Sequence, residues 1–114
     1  MGAELPNINF RHTKLIYCNF EEANLECANF YSADLSKARF HKANLKQVYF
    51  FKAELQFTDF RGANLEGANL EGANLNQANF CGANLTNAKV LDAQLEQAQT
   101  NWATVFPDGK RRLW

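Results

Sequence analysis

The sequence predicts an all-β solenoid, in which a coil with four sides is built from five-residue repeats. Leucine, phenylalanine or valine recurs at every fifth position from Leu5 to Val105, with Thr100 as the one polar residue in the series. Alanine stands two positions before this central residue at every step from Ala23 to Ala103, except at Val48 and Thr58. A fixed short period over most of a chain is the signature of a repeat architecture.

Each five-residue unit is predicted to be a short extended piece followed by a corner. Apolar residues five apart advance by about 140° per step around an α-helix, so they build no helical face. In a flat strand Ala23 and Leu25 would share a face, but the next small residue comes three positions later, at Ala28. A chain that alternates steps of two and three must therefore turn repeatedly, and turns in one sense wind it into a coil.

The central residues set the number of units in one coil. Leucine and phenylalanine alternate from Leu5 to Phe60, so the side-chain pattern repeats every ten residues. Two units would give a coil too flat for a core of Phe rings, whereas four units stack like residues on like and leave room for the rings. The predicted columns are Leu5, Leu25, Leu45, Leu65 and Leu85 on the first side, Phe10, Phe30 and Phe50 on the second, Leu15, Leu35, Leu55, Leu75 and Leu95 on the third, and Phe20, Phe40, Phe60 and Phe80 on the fourth.

The repeated phrase of the chain is A-[N/D]-[L/F]-x-x, which is most regular in RGANLEGANLEGANL from Arg61 to Leu75. This phrase resembles the pentapeptide-repeat proteins. The resemblance implies a right-handed quadrilateral parallel β-helix with four pentapeptides per coil, about five coils and a C-terminal cap. We expect a lead-in at residues 1–7, the β-helix at residues 8–105 and the capping segment at residues 106–114.

The corners and the end of the coil have their own sequence signals. Gly62, Gly67 and Gly72 stand at the second corner position, which predicts type II turns here and other turn types in the first half of the chain. The asparagine before each central residue is expected to bond to the corner backbone and to stack in ladders. Beyond Val90 the motif decays, and three aromatic residues are predicted to fold over the last coil as its cap: Trp102, Phe106 and Trp114.

Composition limits the classes of function. The 114 residues include 12 Lys and Arg against 12 Asp and Glu, and this balance makes a nucleic-acid partner unexpected. Cys18, Cys27 and Cys81 are odd in number and have no C-x-x-C spacing, which argues against disulfides and against a zinc site. The sequence shows no secretory leader and no apolar run of about 20 residues, so we expect a cytoplasmic protein with no membrane partner.

No residue pattern in the sequence indicates catalysis. His12 and His41 have no acid or cysteine partner at a catalytic or metal-binding spacing. The spacing from Gly62 to Gly67 matches a phosphate loop, but the Lys and Ser/Thr of that motif are missing. We therefore expect no enzyme activity, no metal and no cofactor.

Large apolar residues at outward positions are the candidate functional residues. Several aromatic side chains over one wall of the coil suggest a protein-contact surface, whereas singly scattered apolar residues are normal on any surface. The partner would be an unidentified protein, and the chain itself is expected to be a monomer or a weak homodimer. The candidate contact residues are Tyr17, Tyr31, Tyr49, Phe51, Phe57 and Leu91.

The sequence supports two hypotheses about function. The first is a non-enzymatic structural scaffold or protein-interaction module. The second comes from the resemblance, because some pentapeptide-repeat proteins mimic duplex DNA and inhibit or protect type II topoisomerases such as gyrase. Such mimics have a strongly negative surface, so the balanced charge of this chain disfavours the second hypothesis. The central part of the chain alone contains five cations: Lys37, Arg39, Lys42, Lys46 and Lys52.

Overall fold

The chain winds into a stack of coils of twenty residues, which we call the shaft. A computed structural model describes residues 2–112. Parallel bridges join residues twenty apart, beginning with Glu4 and Asn24, and they form four columns, one on each side of the shaft. Each side contributes a single bridged residue per coil, so no longer strand forms among the described residues. The twenty-residue repeat agrees with four five-residue units per coil.

Backbone hydrogen bonds connect successive coils. On the first side, the N–H of Leu45 donates to the carbonyl of Asn64 (2.7 Å), and the N–H of Asn64 donates to the carbonyl of Ala43 (3.0 Å). A further bond closes the corner, from the N–H of Ala43 to the carbonyl of Phe40 (2.9 Å). The polar backbone groups therefore find partners although each extended piece is short.

The interior of the shaft is filled by stacked apolar side chains. Phe40, Phe60 and Phe80 stack along the fourth side with centroid distances of 5.3 and 4.9 Å. The column of the second side meets them across the axis, where Phe30 contacts Phe40 edge to face at 5.9 Å. The small alanines are buried as well, and their size lets the rings meet on the axis. Burial of each ring stabilises the fold by about 1.5–3 kcal/mol before the entropy cost.

All corners from Asn7 to Asn87 have a positive φ at their second position. The prediction of a different turn type in the first half of the chain is therefore wrong. The glycine corners have φ values of 67–74°, and residues such as Ser32 (55°) and Phe57 (59°) adopt the same left-handed region. A left-handed backbone at a residue other than glycine costs on the order of 1 kcal/mol.

Hydrogen bonds explain why one corner geometry is imposed on every residue type. The N–H of Lys42, a second corner residue, donates to the carbonyl of Arg61 in the next coil (3.0 Å). The Asn44 side chain secures the following corner, because its Oδ1 accepts from the N–H of Lys46 (3.1 Å). The expected asparagine ladder occurs here as well, since Nδ2 of Asn44 donates to Oδ1 of Asn24 (3.2 Å). Contacts between coils thus override the local preference of the corner residue.

The third side of the last coil is helical, whereas the sequence predicts another extended unit. The helix α1 spans Asp92–Glu96. Leu95 is nevertheless buried against the core. The Gln94 side chain replaces missing backbone bonds, because its Nε2 donates to the carbonyls of Leu70 (2.8 Å) and Ala73 (3.0 Å).

The register slips by one residue in the last coil. Asn84 pairs with Val105, twenty-one residues later, so Val105 is not the central residue that the sequence predicts. The additional residue is Asn101, whose carbonyl accepts the N–H of Thr104 (3.1 Å) and closes the corner. Phe106 takes the central position and is buried.

The C-terminal end of the shaft differs from the predicted cap. Phe106 is buried, and the Arg112 guanidinium lies 4.3 Å from its ring centroid. Trp102 is 69% exposed and does not cover the coil, because it stands at the corner that holds the additional residue. Trp114 lies outside the described residues. In the part of the chain that the structure describes, residues of α1 line a shallow depression at this end together with Phe106 and Arg112.

Candidate functional site

Three of the six candidate contact residues come together on the surface. The rings of Tyr31, Tyr49 and Phe51 differ in orientation by only 12–27°, and their centroids lie 5.8–6.3 Å apart. Tyr49 is 37% exposed, and the other two are half-buried. We call these three residues the aromatic triad.

The repeat itself positions the aromatic triad. Tyr31 and Phe51 are first corner residues twenty positions apart, so the shaft stacks one ring on the other. Tyr49 occupies a position where most repeats have asparagine, and its ring lies beside Phe51. Bridges to Asn29 and Asn69 fix its backbone on both sides.

Charged and aromatic neighbours surround the aromatic triad. The His12 ring contacts Tyr31 edge to face at 5.1 Å, and Nζ of Lys52 lies 5.4 Å from the centroid of the phenylalanine ring. Arg11 and Asn29 line a shallow depression together with the triad. These contacts hold the three rings in one arrangement, which lowers the entropy that a partner must remove on binding.

The remaining three candidates lie elsewhere. Tyr17 and Phe57 occupy the next corner of the shaft, where they are 67% and 56% exposed. Lys37 engages Tyr17, because its Nζ donates to the phenol oxygen (3.1 Å) and lies 5.2 Å from the ring centroid. Leu91 is 70% exposed and lines a separate shallow groove with Glu71, next to α1. The six predicted residues therefore form one cluster of three and two separate sites.

Sequence reasoning misses two neighbours of the aromatic triad, His12 and Lys52. Both are second corner residues, each one position after the column that holds Tyr31 and Phe51. The signal that could have found them is the same twenty-residue spacing, applied to the adjacent column.

The charges near the aromatic triad are arranged differently from those on the fourth side. There, Arg61 donates to Asp59 in an ion pair of 2.8 Å. Burial, the largest single effect, acts to raise the pKa of Asp59, but the hydrogen bonds and charge of Arg61 outweigh it and the pKa is lowered. By contrast, neither Arg11 nor Glu71 forms an ion pair with any residue between 2 and 112.

The described residues contain no group of three or more His, Cys, Asp or Glu side chains placed to hold a metal ion. Cys18, Cys27 and Cys81 are free thiols. No helix between residues 2 and 112 has the length and hydropathy of a membrane span. The aromatic triad offers apolar area, phenol hydroxyls and neighbouring cations, which suit non-covalent recognition.

Several solved structures are similar to this chain. Rfr23, a pentapeptide repeat protein from the cyanobacterium Cyanothece 51142, is 31% identical with a TM-score of 0.81, over 92% of this chain and 85% of that one. The pentapeptide repeat protein alr5209 from Nostoc PCC 7120 is 26% identical with a TM-score of 0.75, over 89% and 83%. QnrB1, a plasmid-mediated fluoroquinolone resistance protein, is 18% identical with a TM-score of 0.49, over 89% and 59%. None of the curated proteins matches the chain.

The family model "Pentapeptide repeats" matches the sequence in eight copies, at residues 3–41, 28–67 and 63–98. These matches cover most of the chain and include the bridges of all four columns up to residue 98. The repeat phrase, the twenty-residue coil and these matches agree, and the chain belongs to the pentapeptide-repeat family.

Proposed function

We propose that the chain is a non-enzymatic protein-interaction module, in which a right-handed quadrilateral β-helix is the rigid scaffold and the aromatic triad contacts a partner protein. One observation carries the proposal: the three rings are held together on the surface although the shaft needs none of them there. Glu71 fills the same corner position as Phe51 one coil later, and Asn69 fills that of Tyr49.

The physical chemistry of aromatic side chains supports this role. Tyrosine and phenylalanine are enriched at protein interfaces, where a few such residues supply most of the binding energy. Apolar area that a partner removes from water contributes about 25 cal/mol per Å². The stacked arrangement of the triad adds to this, because rings that are already ordered lose little entropy on binding.

The surface gives no support to the DNA-mimic alternative. A protein that imitates duplex DNA needs a dense array of negative charges, since DNA has about one charge per 1.7 Å of axis. Here the cations Arg11 and Lys52 border the aromatic triad, and Glu71 follows Phe51 one coil later, so both signs of charge are present. The likeness to QnrB1 is too low to transfer the resistance function of that protein.

We further propose that the module works in a reducing cytoplasm. The exposed free thiol of Cys27 supports this setting, because disulfides form and persist in oxidising compartments.

Affinity capture from the source organism tests the proposed function. The bait proteins are the tagged wild type and a triple variant, Tyr31→Ser/Tyr49→Ser/Phe51→Ser, and the captured proteins are identified by mass spectrometry. We expect the triple variant to lose partners that the wild type retains. The matched control is Tyr17→Ser/Phe57→Ser, which removes exposed aromatic rings at another corner and should keep those partners.

Circular dichroism establishes that both variants keep the fold. A folded triple variant that captures the same proteins as the wild type would contradict the proposal. A gyrase supercoiling assay with added wild-type protein is expected to show no change, and inhibition or protection there would favour the DNA-mimic alternative instead.

A further inference from the structure

We infer that the aromatic triad binds a second copy of this chain, side by side and antiparallel, around a twofold axis. This inference rests on the proposed function and names a partner for the same surface. Its basis is the order of residues along one corner column, which is self-complementary in charge and in shape.

The corner column that contains Tyr31 and Phe51 has a cation on one side of these two rings and an anion on the other. The segment from Arg11 to Glu71 consists of Arg11, Tyr31, Phe51 and Glu71, each one coil after the last, and Leu91 follows Glu71 at the start of α1. With about 4.8 Å between coils, Arg11 and Glu71 lie roughly 14 Å apart along the shaft. Both are exposed, and within residues 2–112 neither has an oppositely charged partner at ion-pair distance.

When a twofold axis passes between Tyr31 and Phe51, the order of residues along the column produces two ion pairs between the copies. Because the axis is perpendicular to the shaft, the second copy runs in the opposite direction. Tyr31 then faces Phe51 of the second copy, and Arg11 faces Glu71 of the second copy, with each contact made twice. A parallel arrangement in the same register would place like charges opposite each other, so the column also disfavours the wrong orientation.

The adjacent side of the shaft follows the same symmetry. Asn29 and Tyr49 are bridged and belong to the same two coils as Tyr31 and Phe51. The axis therefore places Tyr49 of one copy opposite Asn29 of the other, which lies in the shallow depression. Oδ1 of Asn29 already accepts the N–H of Tyr31 (3.0 Å), so its Nδ2 is the group that donates to the incoming phenol oxygen.

The contact is narrow, and the dimer is therefore weak. The protein measures 36 × 27 × 21 Å. A contact along one corner of such a shaft is smaller than the roughly 1,200 Å² of total buried surface at which stable interfaces begin. We expect a dissociation constant on the order of 100 µM, and we expect association to fall as salt screens the two ion pairs.

Charge reversal tests the inference, because each ion pair joins two different copies. Arg11→Glu makes the column acidic on both sides of the two rings, and Glu71→Arg makes it basic on both sides. In sedimentation velocity at roughly 10–500 µM, each variant alone should associate about tenfold more weakly than the wild type. An equimolar mixture of the two should regain wild-type association, since every mixed dimer contains two opposite pairs, and the double variant should regain it as well.

The matched controls are Lys46→Glu and Glu66→Arg, which make the same charge changes at another corner of the shaft. They should leave association unchanged, both alone and mixed. Circular dichroism on every variant checks the fold. A wild type that stays monomeric over this range overturns the inference, and so do single reversals that associate like the wild type or a mixture that fails to recover.

Failure of this inference can be told apart from failure of the proposed function. If the charge reversals leave the oligomeric state unchanged while the triple variant of the triad loses its captured partners, self-association is refuted and the interaction module stands. If the folded triple variant keeps every captured partner and self-associates like the wild type, both are refuted.

Discussion

Phe60 and Phe80 stack with nearly parallel rings, 4.9 Å apart at their centroids and 2° apart in orientation. The residues just before them, Asp59 and Asn79, are bridged, so the ring contact and the backbone contact between the two coils form at the same place. Phe40 extends the stack in the other direction at 5.3 Å. Each coil is therefore stabilised by the coil on either side of it, as in other repeat proteins.

Truncation of Phe60 should cost a large part of the stability. We expect Phe60→Ala to lower the free energy of unfolding by about 3–5 kcal/mol, because it leaves a cavity between two stacked rings. Phe60→Leu should cost only about 1–2 kcal/mol, since Leu70 fills a central position in the same core. Urea unfolding followed by circular dichroism measures both. Equal losses for the two variants would show that the interior depends on the aromatic ring itself and not on the volume that leucine restores.

Replacement of Phe57 by glycine should stabilise the protein. Phe57 has a φ of 59° and a side chain that is 56% exposed, so it bears backbone strain with little burial to offset it. We expect Phe57→Gly to raise the free energy of unfolding by about 0.5–1 kcal/mol, net of the flexibility that glycine adds to the unfolded chain. Urea unfolding gives this difference directly.

Two control variants test the backbone effect at the corner. Gln56→Gly changes the preceding residue, which is not among the positive-φ positions, and should destabilise the fold by about 1 kcal/mol or more, because it adds flexibility and also removes the side-chain hydrogen bonds with Glu54 and Ser36. Gly82→Ala should also destabilise it by about 1 kcal/mol through strain, because φ is 74° and an added Cβ would meet nothing closer than 3.8 Å. A loss of stability in Phe57→Gly would mean that the exposed ring packs more favourably than its exposure indicates.

The periodic part of the fold could be predicted because the five-residue register is unbroken and is compatible with one arrangement of the side-chain columns. The alternation of leucine and phenylalanine gives a period of ten residues, and the room that the rings need selects twenty residues per coil. The stacked pair Phe60 and Phe80 lies where this count predicts it. The turn type at Ser32 could not be predicted from residue preference, because hydrogen bonds to the neighbouring coils determine it. The one-residue slip at Asn101 is also invisible in the sequence, since Val105 and Phe106 are both acceptable central residues.

The candidate site was predictable to the same extent as the register. Tyr31 and Phe51 could be placed on one column by their spacing, and Tyr49 beside them by its position in the repeat. Spacing alone could not separate Leu91 from this group, because α1 changes the surface around it. Nor could it predict the exposure of Trp102, which depends on the slipped register.

The stability of the C-terminal end of the shaft should depend on Gln94. Its Nε2 donates to the carbonyls of Leu70 and Ala73, and its Oε1 accepts the N–H of Leu91 (2.8 Å). We expect Gln94→Leu to cost about 2 kcal/mol in unfolding free energy, and Gln94→Glu at neutral pH to cost more, because a carboxylate would face two carbonyl oxygens. Amide hydrogen exchange should show faster exchange at Leu91 in Gln94→Leu.

Gln97→Glu is the matched control for this prediction. It makes the same change of charge three residues later, at an exposed position just beyond α1, and should change the stability by less than about 0.5 kcal/mol. If the two glutamate variants are equally stable, the Gln94 side chain does not cap the carbonyls of the preceding coil.

The ion pair of Asp59 and Arg61 should make stability depend on acidic pH. Burial, the largest single effect, acts to raise the pKa of Asp59, but the hydrogen bonds and charge of Arg61 outweigh it, so the pKa is lowered from 3.8. A carboxyl with a lower pKa in the folded protein stabilises the fold above its unfolded pKa, and this stabilisation is lost as the pH falls through the folded pKa. The loss should therefore occur below about pH 4. Asp59→Asn should remove that part of the pH dependence, as measured by urea unfolding between about pH 2 and pH 7.

Arg61→Gln should raise the pKa of Asp59, which NMR titration of the carboxyl carbon detects. An unchanged pKa in Arg61→Gln would show that the arginine does not hold the carboxylate in its charged form.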